Sequence, residues 1–262
     1  MGGKNQLSPS TKPTWQEGAG SLLLLAAAHE PGLISRLSQA LPLDDHTPRR
    51  LAHARLTTRQ QSLLTLLFLP AVGLRRTCDL SRYTGDALGL LTGRWRAYGY
   101  WQVERFLSQL ARCGGDQRLT DALAVWTFKL WSPQRSEADC QPPVFYVDGH
   151  RKPVYSDHLI PRGLIGRTGK VLGGRTLLLL HDAQGHPHLA TTHRGDLHLT
   201  KAVPRFLARY DQATGGHPVA QLIIDREGMA AECLHQLATE GRTVITILRS
   251  SADSRKVIDH VV

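Results

Sequence analysis

The chain has 262 residues, 41% of them hydrophobic, and carries a formal net charge of +10 with an isoelectric point near 9.8. This length suits one large domain or two modest ones, and the apolar share is that of a soluble globular protein. The charge favours a polyanionic partner, nucleic acid or an anionic membrane surface. Residues 1–130 hold 16 Lys and Arg against 9 Asp and Glu, whereas residues 131–262 hold 16 against 13, so most of the excess lies in the first half. Cys78, Cys113, Cys140 and Cys233 are scattered with no C-x-x-C pair, which excludes a zinc ribbon and a dense disulfide framework. Free thiols in a reducing cytoplasm are the plain reading.

Residues 1–17 are polar and read as a loose tail. The run Leu22-Leu23-Leu24-Leu25-Ala26-Ala27-Ala28 has the look of a signal-peptide core, but it is too short to span a bilayer. It follows a long polar leader and runs into His29-Glu30-Pro31, so it reads as a buried helix and no membrane partner is expected. A helix over 18–41, interrupted near Pro31, and a break at 42–50 complete an N-terminal region of residues 1–55.

Residues 56–131 read as a helical, DNA-binding region. Thr57 or Thr58 caps a helix that runs to Pro70. A second helix is expected from Asp86 to Gly93, a third from Trp101 to Arg112 and a fourth from Leu119 to Trp131. Val103, Phe106, Leu107 and Leu110 share one face of the third. Arg75, Arg76, Arg82, Arg94, Arg96 and Arg105 interleave there with Tyr83, Trp95, Tyr98, Tyr100 and Trp101. The short helix, turn and amphipathic helix look like a helix-turn-helix, with Arg94 and Arg96 near a helix N-terminus where phosphate is favoured. The competing reading is a helical core with Arg on its solvent face.

Residues 132–143 have linker chemistry. Beyond them strands are expected at Val144–Val147, Thr176–Leu180, Leu189–His193, Val219–Ile224 and Val244–Leu248, with helices at Lys201–Gln212 and Met229–Glu240. The order β-β-β-α-β-α-β predicts an α/β fold over residues 142–262, a mixed sheet covered by helices.

Asp148 and Asp225 each end an apolar, β-rich run, where a carboxylate is costly unless something cationic meets it. Each taken alone also fits a strand-end turn beside a glycine. On adjacent parallel strands they would reach the same end of the sheet, where α/β proteins put their sites. Two carboxylates there suit Mg²⁺ or Mn²⁺, which take oxygen ligands and fill remaining positions with water and phosphate. Paired ions of this kind activate an attacking oxygen and stabilise a leaving one. Residues 149–175 add Arg151, Lys152, Arg162, Arg167, Lys170 and Arg175 against the single acid Asp157, in a glycine-rich loop or short ribbon. Such a segment either contacts phosphate beside Asp148 or is a solvated charged loop. Gly163 to Lys170 imitates a phosphate-binding P-loop but fails, because its first glycine is one residue early and Val171 stands where Ser or Thr must be. His181, His186, His188, His193 and His198 lack zinc-finger partners and read as turn and surface histidines.

Taken together, Phe145-Tyr146-Val147-Asp148-Gly149-His150, His181-Asp182-Ala183-Gln184-Gly185 and Ile223-Ile224-Asp225-Arg226-Glu227-Gly228 resemble the insertion-sequence transposases with a DDE active site on an RNase H-like fold. The stretches Tyr83–Leu88 and Gly93–Tyr100 look like the upstream part of such proteins. The resemblance implies that Asp148 and Asp225 are catalytic metal ligands and that Arg94, Arg96, Arg151, Lys152, Arg167 and Lys170 contact DNA. It also implies strand cleavage and transfer on double-stranded DNA by a homo-oligomer in the bacterial cytoplasm. In that family a third acid lies on a helix well after the fifth strand. Here only Asp253 and Asp259 follow Leu248, and Glu227 stands too close to Asp225, so the chain resembles the N-terminal part of a transposase, cut short or degenerate. A non-enzymatic DNA-binding remnant or regulator, and a metal-dependent nuclease on the same fold, are the alternatives.

Overall fold

The computed structural model describes residues 20–41, 58–83, 88–89, 91–92, 96–132, 142–156, 158–165, 169–225 and 230–247. The expected tail, the 42–50 break, most of the linker, Arg94, Arg167, Glu227, Asp253 and Asp259 lie outside these residues, as does much of the expected Asp86–Gly93 helix. The chain divides into two compact units, Met1–Gly114 and Gly115–Val262.

The first unit is helical. It contains α1 (Ser21–His29), α2 (Leu33–Ala40), α3 (Thr58–Ala71), a 3-10 turn (Thr77–Arg82) and α4 (Tyr100–Arg112). Gly32, at φ +72°, separates α1 from α2 just after Pro31. The Leu22–Leu25 run does form a helix, but Leu22, Leu23 and Leu24 are exposed, which corrects the expectation of a buried one. The run is apolar on all sides, a pattern that ordinarily marks a buried helix, and nothing among the described residues explains its exposure. By contrast α2 buries Leu33, Ile34 and Leu37 at helical spacing. A core of Phe68, Leu69, Leu80, Leu88, Leu91 and Val103 joins α3, the 3-10 turn and α4. The 3-10 turn, unforeseen in the sequence, is held by Asp79, which accepts from the Arg76 backbone N–H at 3.1 Å and pairs with its guanidinium at 3.0 Å. No described helix is long and apolar enough to cross a membrane.

The second unit is a mixed sheet with helices. Its elements are α5 (Gly115–Trp131), β1 (Val144–Pro153), β2 (Arg162–Ile165), β3 (Lys170–Asp182), β4 (Pro187–Arg194), α6 (Leu199–Ala213), β5 (Gln221–Ile224), α7 (Ala231–Thr239) and β6 (Thr243–Thr246). The sequence grouped α5 with the helical half; its packing on β4 and α6 puts it in this unit. The sheet runs β2-β3-β1-β5-β6, with β4 also paired to β3. β1 is antiparallel to β3 and parallel to β5, and β5 is parallel to β6.

Alternation decides the faces. Phe145, Val147, Leu178, Leu180, Leu222 and Ile224 point to one side, each at most 4% exposed, and meet Val203, Phe206, Leu207 and Leu237 of α6 and α7. Each such side chain contributes about 1.5–3 kcal/mol. Tyr146, Asp148, Leu179, His181, Ile223 and Asp225 alternate onto the opposite face.

The strands outrun the expectation. β1 continues to Pro153 and β3 starts at Lys170, so the cationic segment is a ribbon rather than a loop. Glycines allow its crossing. A Cβ on Gly174 would sit 2.6 Å from the Lys152 carbonyl oxygen, and one on Gly195 would sit 2.5 Å from that of Gly174. A Cβ on Gly163 would collide with the Gly195 carbonyl oxygen. Backbone meets backbone there, with no flexible side chain to yield. Gly174→Ala is therefore expected to cost about 1–3 kcal/mol, measured as a lower urea midpoint with unchanged m-value, while Gly185→Ala in an open turn perturbs only its own φ.

Candidate active site

The parallel register of β1 and β5 ends at Val147 opposite Ile224. Asp148 and Asp225 are the next residues on the two chains, on strands about 4.8 Å apart. Both are exposed, whereas Val147 and Ile224 behind them are buried, so the two carboxylates share the face turned away from the helix-covered core. Asp148 is not at a strand end, as the sequence suggested. It sits mid-strand, at the point where β5 stops and β1 goes on paired with β3. The backbone oxygen of Asp225 accepts from the Thr246 hydroxyl at 3.4 Å, tying the end of β5 to β6. One step inward on the same face, Tyr146 stacks on His181 with ring centroids 5.2 Å apart and planes 5° from parallel.

Two adjacent carboxylates repel, and a divalent cation relieves that repulsion. Among the described residues no group of three or more His, Cys, Asp and Glu is placed to hold a metal ion. The donors that could hold one here are Asp148 and Asp225. An all-oxygen pair suits a hard cation that keeps water in its shell better than it suits zinc.

The expected cationic contacts divide. Lys152 is exposed and, two strand steps beyond Asp148, lies on the carboxylate face. Arg151 alternates to the other face, where its guanidinium donates to the Leu164 carbonyl at 3.4 Å. Lys170 is exposed at the outer end of β3, opposite Ile165. Arg96 is exposed in the turn before α4, in the other unit, where Trp101 is 79% exposed. The Gly99 N–H at that helix start donates to Gln102 Oε1 at 2.7 Å. A cavity of about 600 Å³ opens at the ribbon tip between Tyr155, His158, Leu159 and Arg162, beyond the carboxylates rather than at them. The sequence places Arg175 in the cationic segment beside Asp148 but gives no reason to join Arg194 to it. The two arginines sit side by side in the β3–β4 register, a fact of pairing that no local motif carries.

The His181–Gly185 motif proves structural. Asp182, 7% exposed, accepts from the backbone N–H groups of Gln184 at 3.0 Å and His186 at 2.9 Å. Its second oxygen lies 2.9 Å from His186 Nδ1 and 3.4 Å from His188 Nε2. His188 Nδ1 is 3.0 Å from the Tyr210 hydroxyl. His188 was expected at a turn or on the surface, yet it is buried. A register shift between β3 and β4 beside His181 explains this. The irregularity lets consecutive His188 and Leu189 both face inward. Trp131 covers the cluster by stacking on His186 with centroids 4.0 Å apart.

No protein-family model matches this chain, and comparison with curated proteins finds no match.

Burial pushes the Asp182 carboxyl up, but the backbone N–H of His186 and the side chains of His186 and His188 outweigh it, leaving its pKa below the ordinary value. A depressed carboxyl stabilises the fold above the unfolded pKa of about 3.9 and loses that contribution as pH falls through the folded value. Asp182→Asn should therefore lower stability by about 1–3 kcal/mol at pH 7, with the difference from wild type shrinking below about pH 4 in urea titrations. A difference independent of pH would sink the charged reading of Asp182.

Proposed function

We propose that this chain is a DDE-type transposase, or a portion of one, acting on double-stranded DNA through a carboxylate-held Mg²⁺ or Mn²⁺. The observation that carries the reading is the parallel register of β1 with β5, which ends at Val147 opposite Ile224 and leaves exposed Asp148 and Asp225 as the next residue on each chain. The strand arrangement is consistent with an RNase H-like fold. β1, β3 and β4 form an antiparallel set, and β5 and β6 run parallel to β1 after helical crossovers. A net charge of +10 suits a DNA partner.

In this mechanism Asp148 and Asp225 provide the oxygen donors from neighbouring strands. When bound, the cation polarises a phosphoryl oxygen and lowers the pKa of an attacking hydroxyl. The chain's own work is positioning. β1 is pinned between β3 and β5 up to Val147, and Asp148 next to it stays paired with Leu179 of β3, so its backbone is held in place. Lys152, further along the same strand face, meets the phosphates of the strand being cut. Arg96 and the exposed Trp101 offer a second DNA contact on the helical unit.

The test has two arms. Mn²⁺ binding, read from loss of the free-ion electron paramagnetic resonance signal, should weaken about tenfold or more in Asp148→Asn and in Asp225→Asn. Metal-dependent nicking or strand transfer by the wild-type chain should fall about a hundredfold in Asp148→Asn, a loss of near 3 kcal/mol. Equal activity in wild type and mutant removes the catalytic assignment. Binding of DNA with no chemistry in Mg²⁺ or Mn²⁺ moves the chain to the non-enzymatic reading. Hydrolysed but never joined strands make it a nuclease.

A further inference from the structure

Cross-strand register sets three cations abreast. Lys152 of β1 lies opposite Arg175 of β3, and Arg175 lies opposite Arg194 of β4. All three are exposed, and all three alternate onto the face that carries Asp148 and Asp225. Like charges directly opposite one another destabilise a sheet. Lys152 and Arg175 have no acidic partner among the described residues. Arg194 has one, pairing with Asp196 at 2.9 Å. A merely solvated surface gains nothing from such a row, whereas an anionic ligand spanning it would relieve the repulsion.

The dimensions name the ligand class. Three neighbouring strands span about 10 Å, an axial length that holds roughly three phosphates of one DNA strand. Lys152 lies four residues past Asp148 on one extended strand, about 13 Å away. Arg162, opposite Gly173, adds a fourth cation to this face one rung further out.

We propose that Lys152, Arg175 and Arg194 form a phosphate-binding row that holds the DNA backbone where it leaves the carboxylate pair. This rests on the DNA reading above, which uses Lys152, and extends it to Arg175 and Arg194. Arg194, shared with Asp196, is the weakest member of the row. The row reads no sequence, since phosphate contacts position a duplex without discriminating bases.

Binding of the full chain to a fluorescent duplex of about 30 base pairs, followed by anisotropy over a salt series, tests the row. Lys152→Gln/Arg175→Gln should weaken binding about tenfold and flatten the slope of log K against log salt by about two. Lys201→Gln/Arg205→Gln removes the same charge from exposed positions on α6, across the sheet, and should leave the slope unchanged. Lys152→Arg/Arg175→Lys keeps the charges and should keep the slope, which separates charge from folding. Unchanged binding in the first double variant, or an equal loss in both glutamine doubles, overturns the row while leaving the DNA reading standing. No binding by the wild-type chain at low salt overturns both.

Discussion

The parallel pairing of β1 with β5 is the constraint on which the site depends. Side chains alternate along a strand, so a slip of one residue would send Leu222 and Ile224 outward and drive Asp225 into the core beneath α6 and α7. Two apolar side chains would lose their burial and a carboxylate would lose its water, together a cost of several kcal/mol. The register is thus fixed by what lies behind the carboxylates. A buried ionic clamp reinforces it at the start of β5. Arg242, 8% exposed, donates to the Val219 carbonyl at 3.0 Å and pairs with Asp211 at the end of α6 and with Glu240 after α7. Breaking such a pair leaves an uncompensated charge inside, so the geometry is held more firmly than surface pairs could hold it.

Unequal strand lengths do the rest. β5 stops beside Asp148, while β1 runs five residues further in company with β3. The sheet therefore narrows to a ribbon at the rung where the two acids stand. The close crossing of Gly163, Gly174 and Gly195 makes that extension possible, because any side chain there would force backbones apart. One consequence is a separation of opposite charges on one face, carboxylates on one rung and cations about 13 Å beyond. Closer in, they would pair with each other and be spent. At this spacing the two sets do not neutralise each other.

Short apolar runs rich in β-branched and aromatic residues, bounded by turn residues, made the existence of every strand but the short β2 legible in the sequence. Strand extent was hidden. His150 to Pro153 and Lys170 to Gly174 carry charge and glycine, which fit a loop as well as a short ribbon until the first is seen paired with Gly174–Leu177 and most of the second with β2. The same blindness concealed the Lys152–Arg175–Arg194 row, whose members are spread over three strands and share no spacing. Arg151 and Lys152 looked equivalent in sequence, yet alternation sends them to opposite faces. His188 was misread for a related reason. A register irregularity breaks period-2 alternation locally, and nothing in Pro187-His188-Leu189 announces it. The exposed leucines of α1 failed the opposite way, since a run apolar on all sides ordinarily marks a buried helix.

Three aspartates, Asp148, Asp182 and Asp225, follow apolar runs in this unit, and composition does not rank them. Saturation does. Asp182 is buried with both oxygens committed, one to two backbone N–H groups and the other to two imidazoles. A carboxylate so engaged closes a turn and has little capacity left for a ligand. Asp148 is exposed, makes no hydrogen bond or ion pair with a described residue, and stands one residue past the last rung that β1 shares with β5. The contrast assigns Asp182 to the scaffold and leaves Asp148, exposed where the β1–β5 pairing ends, as a carboxylate with capacity for a ligand.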